Sequence, residues 1–103
     1  MKLITNELRE RLPALGSTAD QPNPLALCKF FTPDSSWTWY VVEFDGDDIC
    51  YGLVDGLEVE FGTFRISELE AVRGHLGLPV ERDLYFTATP VMTLYRNHRS
   101  AIY

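Results

Sequence analysis

The chain opens with apolar residues four apart, Ile4, Leu8 and Leu12. That spacing stacks side chains on one face of a helix. It predicts a helix over residues 7–12, with Thr5 or Asn6 placed to accept an orphan amide at its start and Pro13 to stop it. Residues 14–24 lose the period and gather Gly16, Ser17, Thr18, Asp20, Pro22, Asn23 and Pro24, the composition of a loop long enough to suggest function or mobility. Residues 25–31 are apolar on both faces, with Lys29 the one charge, and read as a well-covered strand. A turn from Thr32 to Ser36 follows. Pro33 suits an early turn position, and Asp34, Ser35 and Ser36 carry side chains that bond nearby amides. Residues 37–44 make the next strand, with Trp37, Trp39, Val41 and Glu43 on one face and Thr38, Tyr40, Val42 and Phe44 on the other.

A turn around Gly46 leads to a strand over residues 49–54, where Ile49, Tyr51 and Leu53 share a face. Asp55-Gly56 between apolar runs signals a hairpin, because glycine accepts the positive φ such turns need. A strand over residues 57–66 alternates Val59 and Phe61 with Glu58 and Glu60. Past Gly62 the apolar set moves to Phe64 and Ile66, and a bulge or bend at Gly62 would explain the slip. Ser67-Glu68-Leu69-Glu70 has the pattern of a capping box, opening a short helix that ends at Gly74, with Leu69 and Val72 toward the sheet. Leu84-Tyr85-Phe86 reads as a last strand. Thr89-Pro90 suits the opening of a C-terminal helix, while the basic cluster Arg96-Asn97-His98-Arg99 reads as a loose end and residues 91–103 as a tail. These elements add up to an α+β fold. It is one domain over residues 1–103, a twisted antiparallel sheet of four or five strands with two or three short helices packed on one face.

Composition sharpens this picture in a few places. At 103 residues the chain makes one domain, and its 13% aromatic content lets so short a chain fill a core. The net charge of -6 argues against direct nucleic-acid binding, which needs basic surface to displace counterions. Cys28 and Cys50 fall in different strands with no CxxC pattern, and read as buried, reduced, small apolar residues. Zinc is unsupported. No apolar run approaches the roughly 20 residues of a membrane span, so a cytoplasmic protein with no membrane partner is expected. The start, Met-Lys-Leu-Ile-Thr-Asn-Glu-Leu, turns polar too soon for a secretory signal.

The candidate chemistry is sparse. Asp34, Ser35 and Ser36, flanked by Lys29, Trp37, Trp39 and Arg82, are the candidate binding set, since tryptophans beside polar groups are typical contact residues. The plainer reading is that the turn's polar side chains bond its own amides while a tryptophan fills the core. Arg82 is expected either to bridge to Asp34, Glu70 or another acid, or to touch a partner. Asp45, Asp47, Asp48, Asp55, Glu58 and Glu60 form a candidate acidic surface, if adjacent hairpin turns bring them to one edge. Such a surface either mimics nucleic acid toward a basic groove or is simply a solvated edge. No catalytic residue is singled out: His75 and His98 lie in no triad or H-E-x-x-H context, there is no G-x-S-x-G elbow, and no cofactor or metal is expected.

Several runs carry a resemblance. Lys29-Phe30-Phe31-Thr32-Pro33-Asp34-Ser35-Ser36-Trp37-Thr38-Trp39-Tyr40 is similar to a bacterial family known as domain of unknown function 2958. So are Glu68-Leu69-Glu70-Ala71-Val72-Arg73-Gly74, Leu76-Gly77-Leu78-Pro79 and Glu81-Arg82-Asp83-Leu84-Tyr85-Phe86. The resemblance runs to about Pro90 and leaves out residues 91–103. It implies no mechanism. It implies a setting of bacterial plasmids, integrated elements and phages, and with it counter-defence. The expectation is therefore a non-catalytic, protein-binding accessory protein of mobile DNA, acting as an anti-CRISPR or anti-restriction factor. It would dock on a host or nucleic-acid-binding defence protein through its acidic or Trp-flanked surface. The alternative is a small-ligand or nucleotide-binding module using the Thr32–Ser36 turn.

Overall fold

Helices cover both faces of one antiparallel sheet in the computed structural model, which describes residues 2–101. The strands are β1 (Leu25–Ala26), β2 (Cys28–Phe31), β3 (Thr38–Phe44), β4 (Ile49–Asp55), β5 (Val59–Arg65), β6 (Glu81–Arg82) and β7 (Thr89–Pro90). The helices are α1 (Asn6–Arg11), α2 (Ile66–Ala71) and α3 (Val91–Ala101). The main sheet has five strands in the order β5-β4-β3-β2-β6, and β1 pairs with β7 beside it. This is the α+β architecture expected, with both faces covered where one was foreseen.

Each face has its own reason to be dry. Leu8 from α1 and Leu12 just after it, Ile66 and Leu69 from α2, and Cys28, Phe30, Trp39 and Val41 from the sheet make one core. Tyr40, Val42 and Leu53 on the opposite face meet Val91, Leu94 and Tyr95 of α3. Burying each of these large apolar side chains contributes about 1.5–3 kcal/mol. Thr5 caps α1, its hydroxyl accepting the Leu8 amide at 3.2 Å.

Covering both faces corrects the reading of Gly62. The β4–β5 register runs unbroken from Ile49↔Arg65 to Asp55↔Val59, so no bulge lies there. Val59 and Phe61 face α3 while Phe64 faces the other core, which imitates a slip in phase. The irregularity is in β3, between Val41 and Glu43. It turns Glu43 away from Trp39 and Val41, and Phe44 joins their core instead. Across from it, the Tyr40 carbonyl lies over Gly52, where a Cβ would overlap it.

Other boundaries also move. The strand foreseen over residues 25–31 divides at Leu27, whose amide donates to the Val41 carbonyl at 2.9 Å while β1 turns to β7. Trp37 precedes β3. The second helix starts at Ile66 and ends at Ala71, and Ser67 is not its capping residue. Its amide and hydroxyl donate instead to the Asp48 carboxylate at 2.8 and 2.7 Å, so an acid from the β3–β4 turn satisfies the helix start. Leu84-Tyr85-Phe86 is not a strand. Arg82 pairs with Phe30 and Glu81 with Phe31, and Asp83 then accepts the Tyr85 amide at 2.9 Å, turning the chain off the sheet.

The C-terminal helix expected after Thr89-Pro90 is present, but it starts at Val91, Thr89 and Pro90 lie in β7 instead of opening it, and it takes in residues read as a loose tail. Residues 91–101 are α3, anchored by the buried Val91 and by the Met92 amide on Asn23 at 2.9 Å. The segment that read as a basic end is amphipathic, and its apolar side had a sheet face to cover. The rest of the expected tail, residues 102–103, lies outside the described residues, as does residue 1. Among the described residues no helix is long and apolar enough to cross a membrane.

Candidate functional site

The Thr32–Ser36 turn is held from within and from outside. The Thr32 hydroxyl accepts the Trp37 amide at 3.1 Å, closing the turn. Asp34 reaches out of it: one carboxylate oxygen accepts the amides of Leu76 at 2.8 Å and Leu78 at 3.2 Å. Burial of the carboxyl opposes ionisation, but these amides, with His75 nearby, hold its pKa below the usual carboxylate range. Gly74 is needed here, since a Cβ would overlap the Asp34 carboxylate. Asp34 therefore clips the β2–β3 turn to loop 74–78, while Ser35 and Ser36 stay exposed.

The remaining members of the candidate set part company. Trp37 stacks on Trp39 with ring centroids 5.8 Å apart, and its outer face lies over Gly56 in the β4–β5 turn. A cleft of about 380 Å3 runs along these rings, walled by Thr32, Ser35, Arg73 and His75. Lys29 is on the other sheet face, 3.6 Å from Asp83 and near the Tyr40 ring. Arg82 does not bridge to Asp34 or Glu70; it donates to the carbonyls of Lys2 and Leu3 at 2.7 and 2.8 Å, tying down the N-terminal segment. The structure thus brings Ser35, Trp37 and Trp39 together and separates Lys29 and Arg82 from them.

The candidate acidic surface divides in the same way. Consecutive hairpin turns lie at opposite ends of their shared strand, so Asp45, Asp47 and Asp48 sit about 20 Å from Asp55, Glu58 and Glu60, at roughly 3.3 Å per residue of β4. Asp45 accepts the amides of Asp47, Asp48 and Ile49, which hold its pKa low. Asp48 caps α2 and lies 3.6 Å from Arg65. At the Trp37 end Glu58 and Glu60 lie across a shallow depression from that ring and Leu57, while Asp55, at the same end of β4, is taken up by His98 of α3. Beside them Leu57 is 93% exposed, and on the clipped loop Leu76 is 74% exposed.

A hydroxyl, an imidazole and a carboxylate do meet elsewhere. His98 of α3 lies 2.6 Å from the Tyr40 hydroxyl through Nε2 and 2.7 Å from Asp55 through Nδ1. The hydroxyl is phenolic and nearly buried, and burial, with Asp55 and Asp83 nearby, pushes its pKa up to about 12. A phenol held protonated is a poor nucleophile. The arrangement pins α3 to the sheet. Among the described residues no cluster of His, Cys, Asp and Glu is arranged to hold a metal ion.

Sequence reasoning missed a second concavity. Loop 14–24 overhangs the α3 face of the sheet and leaves a groove of about 540 Å3, floored by Val42, Tyr51 and Phe61 and flanked by Val91 and Met92. Glu43 holds the loop there, accepting the Gly16 amide at 2.6 Å, the Thr18 amide at 3.0 Å and the Thr18 hydroxyl. Burial opposes ionisation of Glu43, but the Thr18 and Gly16 donors lower its pKa below the usual value. The available signal was the length of the loop, together with a glutamate in an otherwise apolar strand.

A family model described as "Protein of unknown function (DUF2958)" matches residues 3–101, and the chain belongs to that family. The match covers α3, which the resemblance read from the sequence left out. No curated protein and no solved structure matches the chain.

Proposed function

We propose that this DUF2958 protein is a non-catalytic binding protein that docks a partner protein through the Trp37 end of its sheet. One observation supports the reading above the others. Three segments distant in sequence, the β2–β3 turn, the β4–β5 turn and loop 74–78, converge at that end. They are fixed there by Asp34 and by Trp37 over Gly56, and they hold Leu57 and Leu76 out to solvent. Apolar side chains on pinned loops lose little freedom on association. Glu58 and Glu60 border them, so the partner surface that fits is apolar with a basic margin.

The setting implied by the family resemblance, mobile DNA within a bacterial cytoplasm, makes a host or defence protein with a basic nucleic-acid groove a fitting partner. An anti-CRISPR or anti-restriction action is the form this reading takes. The test is capture of a partner from bacterial lysate, followed by binding measurements on purified proteins. Leu57→Ser with Leu76→Ser should weaken binding by about tenfold or more, and Glu58→Lys with Glu60→Lys should slow association and reduce its salt dependence. Binding unmoved by both pairs rejects this surface.

The alternative, a small-ligand site at the same turn, draws support from the cleft along Trp37 and Trp39 with Arg73 and His75 at its wall. It suits a flat anionic aromatic ligand. Lys29 and Arg82 would take no part, because they lie elsewhere. Quenching of tryptophan fluorescence by a nucleoside monophosphate, lost in Trp37→Leu, would favour it over protein docking.

A further inference from the structure

The groove under loop 14–24 stands apart from the docking end, and its chemistry points to a different kind of ligand. Its volume, about 540 Å3, falls within the roughly 300–1,000 Å3 of sites that take small organic molecules. The floor is apolar and aromatic: Tyr51 and Phe61, their rings stacked at 6.4 Å, with the fully buried Val42 beneath. Glu43 is the one charged side chain in the lining, and it makes no ion pair among the described residues.

Glu43 is also fixed in place. Its three donors come from the overhanging loop, leaving capacity for a further donor on a carboxylate that accepts about four. The residue is only 4% exposed, so a slim headgroup reaches it where a folded surface does not. A carboxylate in this apolar setting attracts a cation more strongly than one in water.

We propose that this groove binds a small organic amine, its apolar body on Tyr51 and Phe61 and its protonated nitrogen at Glu43. A carboxylate of the same shape would be repelled, and a neutral alcohol would gain only the apolar contacts. This reading is independent of the docking surface, which lies at the end of the sheet marked by Trp37 and Leu57.

The test is a titration of the full chain, followed by amide and methyl NMR, with octylamine, octanol and octanoate as probes. Octylamine should shift the signals of Val42 and Met92 saturably and bind at least tenfold more tightly than octanoate. Glu43→Gln should bring octylamine down to the level of octanol. Ala19→Trp, on the exposed loop at the rim, should block all three without entering the core, so the result does not depend on the folding of the Glu43 variant. Equal affinity for octylamine and octanoate, octylamine binding untouched by Ala19→Trp, or no saturable shift with any probe each overturns the proposal.

Discussion

The carboxylate of Asp34 accepts the backbone amide of Leu76 at 2.8 Å across 42 residues of sequence. Asp34 and Leu76 thereby fasten the β2–β3 turn to the loop after α2, and the exposed Leu76 side chain owes its position to this clip. Neighbouring Gly74 is part of the arrangement, since any side chain there would displace the Asp34 carboxylate. Asp34→Ala and Gly74→Ala should each release loop 74–78 while leaving the sheet intact. Hydrogen exchange checks this: the amides of Leu76 and Leu78 should lose protection ahead of those in β3 and β4. Unchanged protection in both variants would show that the loop is held by other contacts.

The pinning of α3 makes a second prediction. Tyr40→Phe removes the hydroxyl bonded to His98 and should cost about 1 kcal/mol, the usual net worth of such a bond. His98→Ala also removes the contact to Asp55 and should cost more, with the loss confined to the C-terminal half of the helix. Thermal melts combined with exchange along residues 91–99 measure both. Equal and negligible effects would mean that Val91 and Leu94 suffice to hold the helix.

The core gives the largest effects. Phe30 is fully buried between strands that both pair with it, and Phe30→Ala should cost about 3–5 kcal/mol. Gly52→Ala should be comparably damaging, because the added methyl meets the Tyr40 carbonyl, which is backbone and cannot swing aside. Chemical denaturation reads both directly. A Gly52→Ala protein with native stability would mean that the kink in β3 relaxes freely.

Acid should unfold the protein through its clip carboxylates. The pKa values of Glu43, Asp34, Asp45 and Asp48 are all lowered in the fold. A group of this kind adds stability that is fully present above its ordinary value, 4.5 for Glu43 and 3.8 for the aspartates. That stability drains as the pH falls through the lower native value. Melting temperature should therefore be flat from pH 7 to about 5 as far as these groups are concerned, then fall steeply. Glu43→Gln should make the fall shallower. A melting temperature that holds steady to pH 3 would contradict these shifts.

How much of this was legible in the sequence differs from residue to residue. The turn at Gly46, where φ is +87°, and helix α1 with its Thr5 cap follow from local chemistry, and local chemistry is what a sequence displays. The hairpin at Asp55-Gly56 also forms, but Gly56 takes no positive φ there, and what its position requires is room for the Trp37 ring. The bulge after Val41 was not legible, because nothing in Val-Val-Glu distinguishes a kinked strand from a straight one. Its position depends on Glu43 reaching loop 14–24 and on Gly52 opposite. Ser67 followed by Glu70 satisfied the capping pattern, yet Asp48, distant in sequence, supplied the acceptor. A C-terminal helix after Thr89-Pro90 was legible from that dipeptide, but its hold on residues 91–101 was not: the apolar side of that segment shows as packed structure only once the sheet face it covers is known. The binding set failed in part because Lys29 and Trp39, one rung apart in adjacent strands, point to opposite faces of the sheet.

The central claim is that the Trp37 end of the sheet is the docking surface. Its most direct test is the affinity of a captured and purified partner for Leu57→Ser with Leu76→Ser, set against Tyr85→Ser. Tyr85 is as exposed as Leu57 but sits past the edge strand β6, beside Lys29 and Asp83, and lines neither depression at Trp37. The account predicts a loss of about tenfold or more for the leucine pair and none for Tyr85→Ser. Equal binding by the wild type and the leucine pair would contradict it, as would a loss only in Tyr85→Ser.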